Sequence, residues 1–124
     1  MYRELYRRAR QALANAYAPY SGFKVGAAIR TGSGRIYTGV NVENASYGAA
    51  ICAERTAACK AVSEGDREFE AIAIASSDGA AWPCGICRQF LSEFSTDMQV
   101  ITGDNEDHLE VLELSELLPK GFKI

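Results

Sequence analysis

Four cysteines punctuate the chain, and three of them stand where a thiol can do chemistry. Cys52 opens the segment Cys52-Ala53-Glu54-Arg55. Cys84 and Cys87 form a C-x-x-C pair inside Pro83-Cys84-Gly85-Ile86-Cys87-Arg88-Gln89. Both segments lie where the chain is expected to enter a helix. Backbone N–H groups at a helix start are unpaired and the dipole end is positive, so thiolates are favoured there. Three thiolates can hold a tetrahedral zinc ion and leave its fourth position open, which is the catalytic rather than the structural zinc pattern. Such a zinc brings the pKa of its water towards ~7. Hydrolysis at that centre also needs a proton carrier beside the metal but not bound to it, and Glu54 is the candidate. In a regular helix, side chains two residues apart point about 200° apart. Cys52 and Glu54 therefore face one site only if Cys52 lies at the helix start, outside regular helical geometry. Three thiolates overcompensate a dication, and Arg55 is the expected counter-charge, hydrogen-bonding a thiolate from behind.

Other readings compete for the same residues. A C-x-x-C pair can be a redox couple, and Trp82-Pro83-Cys84-Gly85-Ile86-Cys87 faintly resembles a thioredoxin motif. Pro83 intrudes between Trp82 and Cys84, however, and that reading leaves Cys52 and Glu54 without a role. A structural four-cysteine site would need Cys59. On a helix begun at Cys52 it lies two turns away, about 10 Å along the axis, so Cys59 is expected in the core instead.

The elements that must position these groups are legible in outline. Tyr2, Leu5, Tyr6, Ala9 and Leu13 recur at helical spacing, predicting an amphipathic helix over 2–15. Pro19-Tyr20-Ser21-Gly22 breaks it. Strands are expected at about 24–30 and 35–42, joined by a turn at Ser33-Gly34. Residues 43–50 read as a loop, and 52–64 as a helix capped by Gly65. Phe69 to Ala75 is apolar at nearly every position, as in a strand covered on both faces. A helix over 84–94, short strands at 98–101 and 109–112, and a helical turn at 114–118 stopped by Pro119 complete the pattern. That order belongs to an α/β layered domain with a mixed sheet.

The chain has 124 residues, the size of one domain, so residues 1–124 are read as a single unit. Hydrophobic residues make up 48% and charged residues 23%, ordinary for a soluble globular protein. A net charge of −3 argues against nucleic-acid binding, which usually needs a basic patch. No apolar run suits a signal peptide or a membrane span. The expected compartment is the cytoplasm, where disulfides rarely persist. His108, the only histidine, stands in an acidic stretch and reads as a solvated loop residue.

Cys52-Ala53-Glu54-Arg55-Thr56-Ala57 and Pro83-Cys84-Gly85-Ile86-Cys87-Arg88-Gln89, with Asn41-Val42-Glu43-Asn44-Ala45-Ser46-Tyr47-Gly48 upstream, resemble the small homotetrameric zinc-dependent cytidine deaminases. The resemblance runs from about Tyr17 to Phe122, with three motifs in order. Deaminases of this kind carry a His or Cys first ligand and a glutamate that does not bind the metal. The resemblance implies a three-layer α/β/α sandwich with a mixed, about five-stranded sheet. It implies one zinc per chain on Cys52, Cys84 and Cys87, with Glu54 moving protons. Asn41 and Glu43 would hold ribose hydroxyls, Phe23 would lie against the nucleoside, and the Ala53 backbone would contact the base. Tyr47 and Phe122 match positions through which a neighbouring subunit closes each site in a homotetramer. The implied reaction is hydrolysis of cytidine and deoxycytidine to uridine and deoxyuridine in pyrimidine salvage. The alternative substrate is a modified cytidine or a blasticidin S-like aminopyrimidine nucleoside. Trp82 departs from the pattern, standing where a small residue commonly precedes the proline.

Overall fold

Leu5, Tyr6 and Ala9 are buried on one side of the first helix, α1 (Tyr2–Ala12), while Arg3, Arg7, Arg8 and Arg10 face water. The computed structural model describes residues 2–124. The expected helix over 2–15 tightens into a 3-10 turn at Leu13–Asn15. An antiparallel hairpin follows, β1 (Val25–Thr31) and β2 (Ile36–Val40), turned by Gly34 at φ +87°. Next come α2 (Ala53–Ser63), β3 (Phe69–Ser76), α3 (Gly85–Ser92), β4 (Gln99–Gly103), β5 (Leu109–Glu113) and a short α4 (Leu114–Leu117). Gly65 follows α2 at φ +92°, a left-handed conformation that glycine adopts without steric cost and that ends helices.

The five strands lie in the order β2-β1-β3-β4-β5. Only β3 and β4 run parallel, with α3 in their crossover; the other pairs are antiparallel. The sheet is therefore mixed, and both its faces are covered. Ala28, Ala71, Ala73, Ala75 and Ile101 meet Leu5, Tyr6 and Ala9 of α1. Ala27, Ile29, Ile72, Ile74 and Val100 meet the alanines of α2, Leu91 of α3 and Leu114 of α4. Successive strand residues point to opposite faces, so a strand buried twice reads as one unbroken apolar run. Each large aliphatic side chain buried in this way contributes about 1.5–3 kcal/mol.

The helices approach the sheet closely because glycines and alanines line the contact. A Cβ on Gly26 would lie 2.1 Å from the Ala9 carbonyl oxygen. A Cβ on Gly39 would lie 2.4 Å from the Ala57 amide nitrogen and 2.7 Å from the Ala53 carbonyl oxygen. Both obstacles are backbone, which a rotamer change cannot move. Gly39→Ala is therefore expected to destabilise the chain by at least about 1–3 kcal/mol. A strand glycine replaced at an open position gains stability. Chemical denaturation gives the sign, and an unchanged or higher midpoint would show that α2 yields freely.

Candidate active site

Two helix starts carry the three sulfurs. Cys52 is the N-cap of α2 (φ −76°, ψ 153°) and Cys84 the N-cap of α3 (φ −67°, ψ 168°); neither side chain caps its own helix. The extended backbone at Cys52 meets the condition that the sequence sets, so Cys52 and Glu54 line one cavity. Cys87 lies one turn into α3 and is fully buried. The three sulfur atoms are all within 4.8 Å of one another, and those of Cys52 and Cys84 are 3.7 Å apart. Tetrahedral bonds of about 2.3 Å to one zinc ion would hold two sulfurs about 3.8 Å apart, so the donor set fits that metal.

The charge pattern singles out Cys52. The Cys52 sulfur accepts from Cys87, Arg55 and Cys84, and these contacts hold its pKa down to about 5 despite partial burial. Cys87, which donates to Cys52 and is buried near Glu54, is pushed up. Arg55 Nη2 is 3.7 Å from the Cys52 sulfur, and its buried Nε has no protein partner. Its guanidinium lies beside the Cys52 sulfur, as expected of a counter-charge. Glu54 is only 5% exposed, and burial pushes its carboxyl up to about 7.

The cavity encloses about 270 Å³. Glu54, Cys52 and Cys84 lie in its lining, as do Phe23, Asn41, Glu43 and Ala53. The turn at 19–22 presents Phe23, and Gly22 adopts φ +71° to make it. Glu43 holds that turn by accepting from the amides of Tyr20 (2.9 Å) and Ser21 (3.2 Å) and from the Ser21 hydroxyl. Asn41 accepts from the Val25 amide at 2.9 Å and donates to the Phe23 carbonyl at 2.8 Å. Both residues thus support the loop, yet neither is saturated. The Asn41 amide keeps a second N–H, and the carboxylate of Glu43 keeps free lone pairs.

Tyr47 and Phe122 stand outside this lining, 85% and 71% exposed. Tyr47 occupies a 3-10 turn, Tyr47–Ala49, within the expected loop. Phe122 is tied to α3 through its backbone, its carbonyl accepting from Gln89 Nε2 at 2.8 Å. One expectation fails: Cys59 is exposed, not buried in the core. The buried face of α2 consists of Ala53, Glu54, Ala57, Ala58 and Ala61, and Cys59 falls on the opposite side. His108 is exposed and contacts Asn105. The cavity also has walls that the motifs do not name, among them Val25, Ile51, Ile74, Ala81 and Trp82.

A mixed sheet between helix layers, with three converging thiols and a buried carboxylate at two helix starts, fits a metal-dependent hydrolase. The comparisons narrow the class to one family. The model for the cytidine and deoxycytidylate deaminase zinc-binding region matches residues 1–103, and the chain belongs to that family. A cytidine deaminase of Halalkalibacterium halodurans is 46% identical over 120 residues, 95% of this chain and 91% of that protein. A probable cytidine deaminase of Dictyostelium discoideum is 57% identical over 88 residues, 69% of this chain but 59% of that protein's length. The crystal structure of a cytidine deaminase from Burkholderia pseudomallei superposes with a TM-score of 0.92 at 43% identity, covering 98% of this chain and 99% of that one.

Proposed function

We propose that this chain is a cytidine deaminase, converting cytidine and deoxycytidine to uridine and deoxyuridine with release of ammonia. The observation that carries the proposal is the meeting of Cys52, Cys84 and Cys87 within 4.8 Å beside buried Glu54. Residues 1–124 act as one catalytic domain. The three cysteines hold one zinc per chain, and zinc, when bound, is a Lewis acid that makes water nucleophilic near neutral pH. Glu54 lines the same cavity without being a ligand. It takes a proton from the attacking water and delivers it to the ring nitrogen, then takes the remaining proton of the added hydroxyl and delivers it to the departing amine as the carbonyl forms. Arg55 offsets the surplus negative charge of three thiolates. The amide of Ala53, at the start of α2, faces the base. Phe23 packs against the nucleoside, and Asn41 and Glu43 use their remaining hydrogen-bonding capacity on the ribose hydroxyls. A site that hydrogen-bonds a hydroxyl rejects analogues lacking it strongly.

Tyr47 and Phe122, exposed and outside the cavity, serve a neighbouring copy in a homotetramer with active sites at its interfaces. The reaction belongs to pyrimidine salvage, in the cytoplasm. Among the described residues no helix is long and apolar enough to cross a membrane. The names of the relatives favour a plain nucleoside over a blasticidin S-like substrate.

Ultraviolet absorbance of cytidine mixed with the purified protein, with zinc measured on the same sample, tests the proposal. Loss of the cytidine band with one zinc per chain is expected. Zinc without turnover would overturn the substrate and direct attention to modified cytidines. Folded protein with neither zinc nor turnover would remove the proposal.

A further inference from the structure

We infer that Trp82 determines specificity, limiting the size of the group that the leaving nitrogen can carry. The inference rests on the deaminase reading above. Trp82 is two residues before Cys84, and both line the cavity that holds Glu54. The reacting carbon must lie against the sulfur cluster and Glu54, so the nitrogen departs at this end. Ala81, Trp82 and Ile74 line the same cavity as Cys84 with apolar side chains. Trp82 is the largest of them, and it follows Ala81 and precedes Cys84 by two residues, so it is the side chain that limits room for a substituent.

The wall is also fixed. The Ala81 amide donates to Thr102 Oγ1 at 2.9 Å, and that hydroxyl donates in turn to the Ile74 carbonyl at 2.9 Å. Pro83 is buried, and its carbonyl accepts from Arg88 Nε at 2.6 Å. A residue before proline is restricted to extended conformations, so Trp82 has little backbone freedom. Its side chain is partly buried and packs against the larger core cluster. The backbone on either side of Trp82 is thus held, and the indole packs against the core. Moving the indole aside to admit a larger substrate would cost that packing.

The reaction on a substituted substrate needs no further reagent. Water adds its oxygen to carbon 4 and gives one proton to the ring nitrogen and one to the exocyclic nitrogen; the carbon–nitrogen bond breaks, and the nitrogen leaves as the neutral amine with its substituent. Only space at the leaving end distinguishes it from the reaction on cytidine. One methyl group in an apolar pocket changes kcat/KM by about 10–200-fold.

The test compares kcat/KM for cytidine and for N4-methylcytidine in the parent, Trp82→Ala and Trp82→Phe proteins. The ratio of N4-methylcytidine to cytidine is expected to rise about tenfold or more in Trp82→Ala, and less, in the same direction, in Trp82→Phe. This ratio is read on the folded molecules alone, so loss of core packing lowers both rates together and leaves it unmoved. A ratio that stays within about twofold of the parent or falls, in variants that still turn over cytidine, overturns the inference. If Trp82→Ala has no cytidine turnover, the Trp82→Phe ratio decides. A parent protein inactive on cytidine overturns the deaminase reading itself, which is a separate result.

Discussion

Replacing Glu54 with glutamine is expected to lower cytidine turnover by about 10³-fold while leaving zinc content at the parental level. The size follows from the work assigned to one carboxylate. A positioned acid–base group contributes typically about 10²–10⁴-fold, and the proposed mechanism has the same group serve both the attacking water and the departing amine. Glutamine has nearly the same shape, so the packing around a side chain only 5% exposed is preserved. It cannot accept a proton from water and return it. The three sulfurs are untouched, which is why the metal stays. Steady-state rates and zinc per chain, measured on one preparation, separate the outcomes. A variant that keeps more than a tenth of the parental kcat would exclude Glu54 as the proton carrier. A variant that loses zinc as well would show that Glu54 supports the metal site rather than the chemistry.

The second large effect is expected at Cys87. Cys87→Ala removes one of the three proposed ligands from a helix position that is fully buried. Losing an outer-shell partner of a metal ligand already costs about 10–100-fold in affinity, so losing a ligand itself costs more. Zinc should fall well below one per chain after dialysis, and cytidine turnover should be lost with it. Alanine fits the α3 interior, and Cys84 and Cys52 remain 3.7 Å apart across the two helix starts. Full zinc content with full activity would mean that the ligand set is wrong. A thiol oxidoreductase predicts something different: no tightly held metal in the parent, and a titratable disulfide between Cys84 and Cys87.

The sequence carries the chemistry of this site better than its wiring. Cys52 and Glu54, two residues apart, can share a cavity only across a helix start, and that constraint is local enough to read from spacing. The observed ψ of 153° at Cys52 satisfies it. The layered order of elements was equally local, set by apolar runs such as Phe69 to Ala75 and by breaks at Pro19, Gly65 and Pro119. Cys59 was not legible, because α2 is a helix of alanines. With small side chains on several faces, the hydrophobic contrast that marks a buried stripe is weak, and only packing against Ile29 and Ile72 decides which side is inside. Nor could spacing show that Asn41 binds the backbone of both Phe23 and Val25, or that Glu43 gathers the 19–22 turn. Those contacts join residues 16 to 23 apart in sequence, and they depend on how the hairpin closes. Trp82 stands out in the sequence as a departure, but its position in the cavity wall needs the fold.

Neither helix that presents the sulfurs has a side-chain cap, since both N-cap side chains are turned toward the cavity. A missing cap costs about 0.5–2 kcal/mol at each helix start. The opening turns of α2 and α3 are therefore weakened against fraying, unless something else draws the two ends together. An ion shared by Cys52, Cys84 and Cys87 does so, because ligand binding to the folded state alone adds to its stability. Occupancy and local order are then a single equilibrium. A melting curve of this protein doubles as a titration of its metal, and a cell starved of that metal would hold a loosened chain, not a rigid but idle one.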